Sequence, residues 1–246
     1  MEITSGMIQV QTPEGSMPGF LARPASAVSV PAVVVVQEAF GLNAHIKDVA
    51  ARLACEGYAT LAPDLYYRET DAVVAYDNLP EAIRLMMGLA DDKIVQDMNA
   101  AIAYLQQQSF VRADRIAVTG FCMGGRVTFL TACRNAAVKA AVPFYGGGIG
   151  SVMQPSERTP KAPLEYAEGL KAPMLLFFGE NDPFIPLEEV EKIKQCLAAL
   201  NKTAEVVVYS GAPHGFFCNE RDSYRVDAAA DAWRRMLKFF AAHLRA

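Results

Sequence analysis

Residues 114–133 read DRIAVTGFCMGGRVTFLTAC. The first six, DRIAVT, carry the apolar and β-branched content of a short strand, and residues 123–133 form a helix that opens in glycines. Between them GFCMGG fits a G-x-nucleophile-x-G turn, with cysteine where serine is usual. Flanking glycines permit the sharp turn that pushes Cys122 out of the backbone, and the positive end of the following helix favours a thiolate. A free cysteine without this context is most often a small buried hydrophobe. Cys55, Cys133, Cys196 and Cys218 lack it, although Cys218 lies close enough to His214 in sequence to border a pocket.

Outward from this turn, strands alternate with helices. Upstream, AVVVVQ (32–37) is a continuous β-branched run, which predicts a strand covered on both faces. A helix follows in 38–57, with Ile46, Val49, Ala50, Leu53 and Ala54 at helical spacing and Gly57 as its C-cap. Tyr58 to Ala62 is strand-like again. Ile8–Gln11 and Gly19–Arg23 make a short antiparallel pair joined by a turn near Pro13–Ser16. Residues 63–90 are mixed and partly helical, an excursion over the sheet edge, and Asp91–Gln108 is a helix with Ile94, Met98, Ile102 and Leu105 on one stripe.

Downstream come a strand at 137–144 and a glycine- and proline-rich surface loop at 146–163. The strand PMLLFFG (173–179), a helix over 186–200, the strand AEVVVY (204–209) and a final helix over about 224–244 complete the chain. The alternation predicts one α/β domain over residues 1–246, a mostly parallel sheet with helices on both faces.

Composition agrees with such a core. The 246 residues are 52% apolar and 20% charged, and 23 basic against 27 acidic side chains give a net charge of −4. That balance offers no electrostatic footprint for nucleic acid or an anionic membrane. The longest apolar stretch is too short to span a bilayer, no secretory signal is seen, and five unpaired cysteines suit a reducing compartment. A cytoplasmic location is expected. Three dispersed histidines and cysteines without paired spacing predict no metal site, and neither GxGxxG nor GxxxxGK[ST] is present, so chemistry without a cofactor is the economical reading.

Open α/β sheets bind ligands beyond the carboxyl ends of their strands. Four predicted strands end in chemically unusual loops: Glu38-Ala39-Phe40-Gly41, the Cys122 turn, Gly179-Glu180-Asn181-Asp182, and Gly211-Ala212-Pro213-His214-Gly215. A nucleophilic cysteine needs a base, and His214 is the candidate, whereas His45 and His243 read as surface or helix-face residues. Asp182 is placed to hold the other ring nitrogen of His214; Glu180 is a rival two residues away, and Asp182 also suits an Asx-turn before Pro183. The order nucleophile, acid, histidine is that of α/β-hydrolases. The backbone N–H groups of Ala39 and Met123 are expected to form an oxyanion hole. Glu38, beside the nucleophile, either takes the thiol proton or discourages a resting thiolate.

QEAFG (37–41), GFCMGG (120–125), GENDPFIP (179–186) and HGF (214–216) resemble, in order and spacing, the motifs of the dienelactone hydrolase (carboxymethylenebutenolidase) family. The resemblance implies an α/β-hydrolase fold with Cys122 as nucleophile, His214 as base and Asp182 as its partner. It implies that Glu38 helps activate the cysteine when substrate binds, and that Phe40 and Tyr145 line the pocket. It further implies a monomeric, cofactor-free enzyme that acts on a small ester or lactone, opening dienelactone to maleylacetate. Family members hold the substrate carboxylate with arginines, one just after the histidine. Here Gly215-Phe216-Phe217-Cys218 follows instead and Arg221 comes only later, so Arg84 in the excursion is a further candidate anion contact. A general carboxylesterase or thioesterase, and a noncatalytic binding protein on the same scaffold, are the alternatives.

Overall fold

The β-branched run at 32–36 lies inside an eight-stranded sheet in the computed structural model, which describes all residues except 27, 70–72, 153–155 and 246. In chain order the elements are β1 (Ile3–Thr12), β2 (Gly15–Pro24), β3 (Val30–Val36), α1 (Ala44–Cys55), β4 (Ala59–Pro63), α2 (Leu79–Gly88) and α3 (Asp91–Gln106). They continue with β5 (Val111–Phe121), α4 (Met123–Arg134), β6 (Val138–Phe144), a 3-10 helix (Pro163–Gly169), β7 (Met174–Gly179), α5 (Leu187–Ala199), β8 (Ala204–Tyr209) and α6 (Val226–Leu244). The strands lie in the order β1-β2-β4-β3-β5-β6-β7-β8. Strand β2 runs antiparallel to β1 and β4, and every other pairing is parallel. This is a single-domain α/β-hydrolase fold: the alternation of elements predicted the mostly parallel sheet, and the family resemblance implied the hydrolase fold.

Val33–Val36 of β3 are fully buried because helices cover both faces. One face carries α1 and α6, joined where the Arg52 guanidinium lies 4.2 Å above the Trp233 ring. The other carries α3 and α4, with the 3-10 helix against α4 and α5 beyond it. Helix α1 starts at Asn43, whose side chain accepts from the Ile46 N–H at 3.1 Å.

Three expectations change. Strands β1 and β2 run ten residues each, longer than their apolar cores, because backbone pairing continues through polar positions of the hairpin. Strand β5 begins at Val111 rather than Asp114. The described start of the glycine-rich loop is not on the surface: residues 148–150 are buried. Glu189 of α5 accepts from Gly150 N–H (3.1 Å) and Ser151 Oγ (3.1 Å), and Lys192 Nζ donates to Gly150 O at 2.5 Å, so this backbone finds polar partners without water. The expectation at 153–155 lies outside the described residues.

Candidate active site

Cys122 is the hinge between β5 and α4. Its backbone has φ 55° and ψ −117°, a conformation that L-residues rarely adopt, held by its N–H donating to Phe144 O (3.1 Å) and its carbonyl accepting from Gly125 N–H (2.9 Å). Close approach makes the neighbouring glycines obligatory. A Cβ on Gly124 would lie 2.4 Å from Val36 O, and one on Gly125 would lie 2.3 Å from Phe144 O. The helix start is therefore seated on the carboxyl ends of β3 and β6. Cys122 itself is half-buried.

His214 and Asp182 arrive from the loops after β8 and β7. His214 Nδ1 and Asp182 Oδ2 are 2.7 Å apart and both residues are buried, while Asp182 Oδ1 accepts from Phe184 N–H at 2.9 Å. The aspartate thus serves the Asx-turn and the histidine together. Burial opposes protonation of His214, but its interactions with Cys122 and its hydrogen bond to Asp182 outweigh this and raise its pKa to about 10. Tyr145, with φ 35°, packs in a T-shaped arrangement on His214, with ring centroids 5.1 Å apart; its hydroxyl is buried and has no hydrogen-bond partner among the described residues. Glu180 turns elsewhere, accepting from Ser210 Oγ (2.6 Å) and Gly211 N–H (2.8 Å).

The loop after β3 supplies the third wall. Gly41, at φ 85°, turns the chain so that its N–H donates to Glu38 O at 3.2 Å. Glu38 is fully buried, and burial raises its pKa against the opposing pull of Arg221, His214 and Tyr76. Its Oε1 is 3.8 Å from Arg221 Nη1, and its Oε2 accepts from the Tyr76 hydroxyl at 3.4 Å. The Arg221 guanidinium also lies over the rings of Phe40 (5.3 Å) and Tyr76 (5.5 Å). Met123 is the first residue of α4, so its N–H has no intrahelical acceptor. The Tyr66 hydroxyl faces both Ala39 O (3.1 Å) and Met123 Sδ (3.4 Å), tying the two expected oxyanion-hole residues together.

Eight of the residues singled out in sequence, Glu38, Ala39, Phe40, Cys122, Met123, Tyr145, Asp182 and His214, line this one region. Arg84 does not join them. Its half-exposed guanidinium grips Glu81 through two bonds of 2.8 Å and lies 3.5 Å from Glu69, an i,i+3 helix pair in solvent. Cys218 does border the site, its buried thiol donating to Tyr76 OH at 3.2 Å. His45 is not on the surface. It is buried in α1 with its ring 6.1 Å from Phe121 and 6.3 Å from Phe217, and burial lowers its pKa to about 4. His243 lies on α6 against Phe239. Tyr66, Tyr76 and the placement of Arg221 were missed, since all three sit in segments without periodicity.

Among the described residues no group of three or more His, Cys, Asp and Glu could hold a metal ion, and no helix is long and apolar enough to cross a membrane. A Salmonella typhimurium protein named "Putative carboxymethylenebutenolidase" is 39% identical over 244 residues, covering 97% of this chain and 87% of that protein. A Bradyrhizobium protein named "Probable 2-oxo-3-(5-oxofuran-2-ylidene)propanoate lactonase" is 33% identical over 243 residues, covering 98% and 96%. The crystal structure of a "Putative Dienelactone Hydrolase" from Klebsiella pneumoniae superposes with a TM-score of 0.92 at 39% identity, covering 98% of this chain and 99% of that one. Residues 17–244 match the dienelactone hydrolase family, and the chain belongs to that family.

Proposed function

We propose that this protein is a cysteine-dependent hydrolase that opens dienelactone to maleylacetate. Family membership supports hydrolysis of activated esters or lactones. One observation carries the finer reading: Cys122 stands out of a strained turn beside a buried histidine whose far nitrogen is held by Asp182 at 2.7 Å.

On this reading His214 receives the thiol proton, with the Glu38 carboxylate assisting its removal when substrate binds, and the Cys122 sulfur attacks the carbonyl carbon. The N–H groups of Ala39 and Met123 take up the charge on the carbonyl oxygen. Collapse breaks the ring C–O bond; the leaving enolate is protonated by His214, and an acyl-thioester remains. Water, deprotonated by His214, then cleaves the thioester and restores the thiol. A thiolate is also a good leaving group, so the tetrahedral species returns to substrate unless the departing oxygen is stabilised, as the conjugated enolate of a dienelactone is. Asp182 fixes the imidazole tautomer and supports its cationic form. The half-buried Arg221 cation, with its buried Nη1 lacking a hydrogen-bond partner among the described residues, favours a substrate carboxylate. The Bradyrhizobium relative is named for a lactone that carries one.

The test is kcat/KM for cis- and trans-dienelactone beside an uncharged activated ester, on wild type and Cys122→Ala. A strong preference for a dienelactone that disappears in the variant is the expected result. Turnover of the neutral ester alone would make the protein a general esterase, and turnover unchanged in Cys122→Ala would overturn the cysteine mechanism.

A further inference from the structure

Tyr76 belongs to none of the motifs, yet its hydroxyl is the meeting point of three segments. Asn43 Nδ2 lies 3.0 Å from it, Cys218 Sγ 3.2 Å and Glu38 Oε2 3.4 Å. The direction of each bond follows from counting protons. Asn43 Oδ1 is committed to the Ile46 N–H as the N-cap of α1, so the amide group turned to Tyr76 is the NH2, a donor. Burial raises the Cys218 thiol to about 11, so it keeps its proton and donates as well. Both lone pairs of the phenol oxygen are then filled, and its single hydrogen is directed at Glu38 Oε2. The ring is held in turn, edge-on to Phe40 at 4.7 Å, and the Val74 N–H donates to Phe40 O at 3.1 Å.

We infer that Tyr76 is a positioning residue for Glu38: it pins Oε2 as the acceptor of a fixed hydrogen bond and leaves Oε1 as the oxygen that exchanges a proton in the pocket. Glu38 Oε1 is buried and has no hydrogen-bond partner among the described residues, with Arg221 Nη1 3.8 Å away. A carboxylate held at one oxygen keeps its aim while the other oxygen accepts a proton. A carboxylate held at neither would be driven to the neutral acid by its burial. The other charged or titratable groups facing Glu38 are His214, Arg221 and Glu220 from the loop after β8, Cys218 from the same loop, and Tyr145 after β6. The inference rests on the proposed function only for its effect on turnover.

The measurement is an infrared pH titration of the buried carboxyl C=O band, assigned by its loss in Glu38→Gln. In Tyr76→Phe, which keeps the ring against Phe40, the midpoint should rise by about one pH unit, since a hydrogen bond to the charged form is gone. Tyr76→3-fluorotyrosine retains the whole side chain and makes the phenol a stronger donor, so the midpoint should fall. A merely structural role would not produce opposite signs. An unmoved midpoint, a shift of one sign in both variants, or no Glu38 band in any protein would overturn the inference. If the protein turns over esters, the acidic limb of kcat/KM should follow the band in each variant, and a limb that stays put removes Tyr76 from the reaction. Absence of wild-type turnover with every ester would sink the hydrolase reading alone, leaving the Tyr76–Glu38 coupling to stand on the band.

Discussion

Asp182 divides its two oxygens between jobs that a single substitution can separate. In Asp182→Asn the side-chain carbonyl still accepts from Phe184 N–H and keeps the turn, but an amide NH2 now faces His214 Nδ1 where a carboxylate stood at 2.7 Å. The imidazole is then driven into the tautomer that presents N–H to Cys122. We expect kcat to fall by on the order of 10³–10⁴ with KM little changed, as for other triads of this kind, while the melting temperature stays nearly constant. Steady-state kinetics and a thermal melt on the same preparation separate the two effects; an equal loss in both would mean that the turn, rather than the tautomer, had failed. Cys122, Asp182 and His214 were legible in the sequence because each lies in the loop or turn that opens at the carboxyl end of a strand, where loop position and chemistry are read together. Arg221 and Tyr76 were not, because each is brought in by an irregular segment whose path depends on partners far away in the chain: Arg221 on Glu38, and Tyr76 on Asn43 and Cys218.

At the scale of elements, α4 has no freedom to slide. A Cβ on Gly124 would meet the carbonyl oxygens of Val36 (2.4 Å) and Gln37 (2.5 Å) where β3 ends, and both are backbone atoms that cannot rotate away. Gly124→Ala should cost about 1–3 kcal/mol in urea denaturation, because the helix must lift from the sheet. Gly88→Ala, at the end of α2 where an added Cβ meets nothing within 4 Å, should instead gain about 0.5–1 kcal/mol. Equal effects at the two positions would deny that the helix start is wedged against the strand. Period and punctuation placed nearly every helix and the buried strands, since a run such as AVVVV or the stripe of α3 has one stable environment. The hairpin of β1 and β2 was read short because pairing, rather than hydrophobicity, carries its ends. Only the start of the loop after β6 was misread as surface, because the burial of residues 148–150 depends on Glu189 and Lys192 some forty residues away, while described residues further along it are exposed.

For the whole molecule, the buried His45 makes stability depend on acid. The unfolded chain binds a proton on this histidine near pH 6.5 and the folded chain only near 4, so as pH falls through that window the unfolded state gains protons and folding weakens. The loss attributable to His45 should reach about 3 kcal/mol by pH 4. His45→Phe, which fills the same space beside Phe121 and Phe217, should remove that part of the slope in urea unfolding measured from pH 7 to 4. An unchanged slope would place the acid sensitivity elsewhere. The turn at Cys122 acts on stability in another way. Its φ of 55° is one that glycine adopts freely and cysteine does not, a strain of about 1–3 kcal/mol. Cys122→Gly should therefore melt higher, by about 2–4 °C per kcal/mol released in a chain of this size, and a lower melting temperature would show that thiol packing outweighs the strain. A laboratory selection for heat resistance alone would then discard the thiol at this turn, so a search for robust variants has to screen for turnover in the same round.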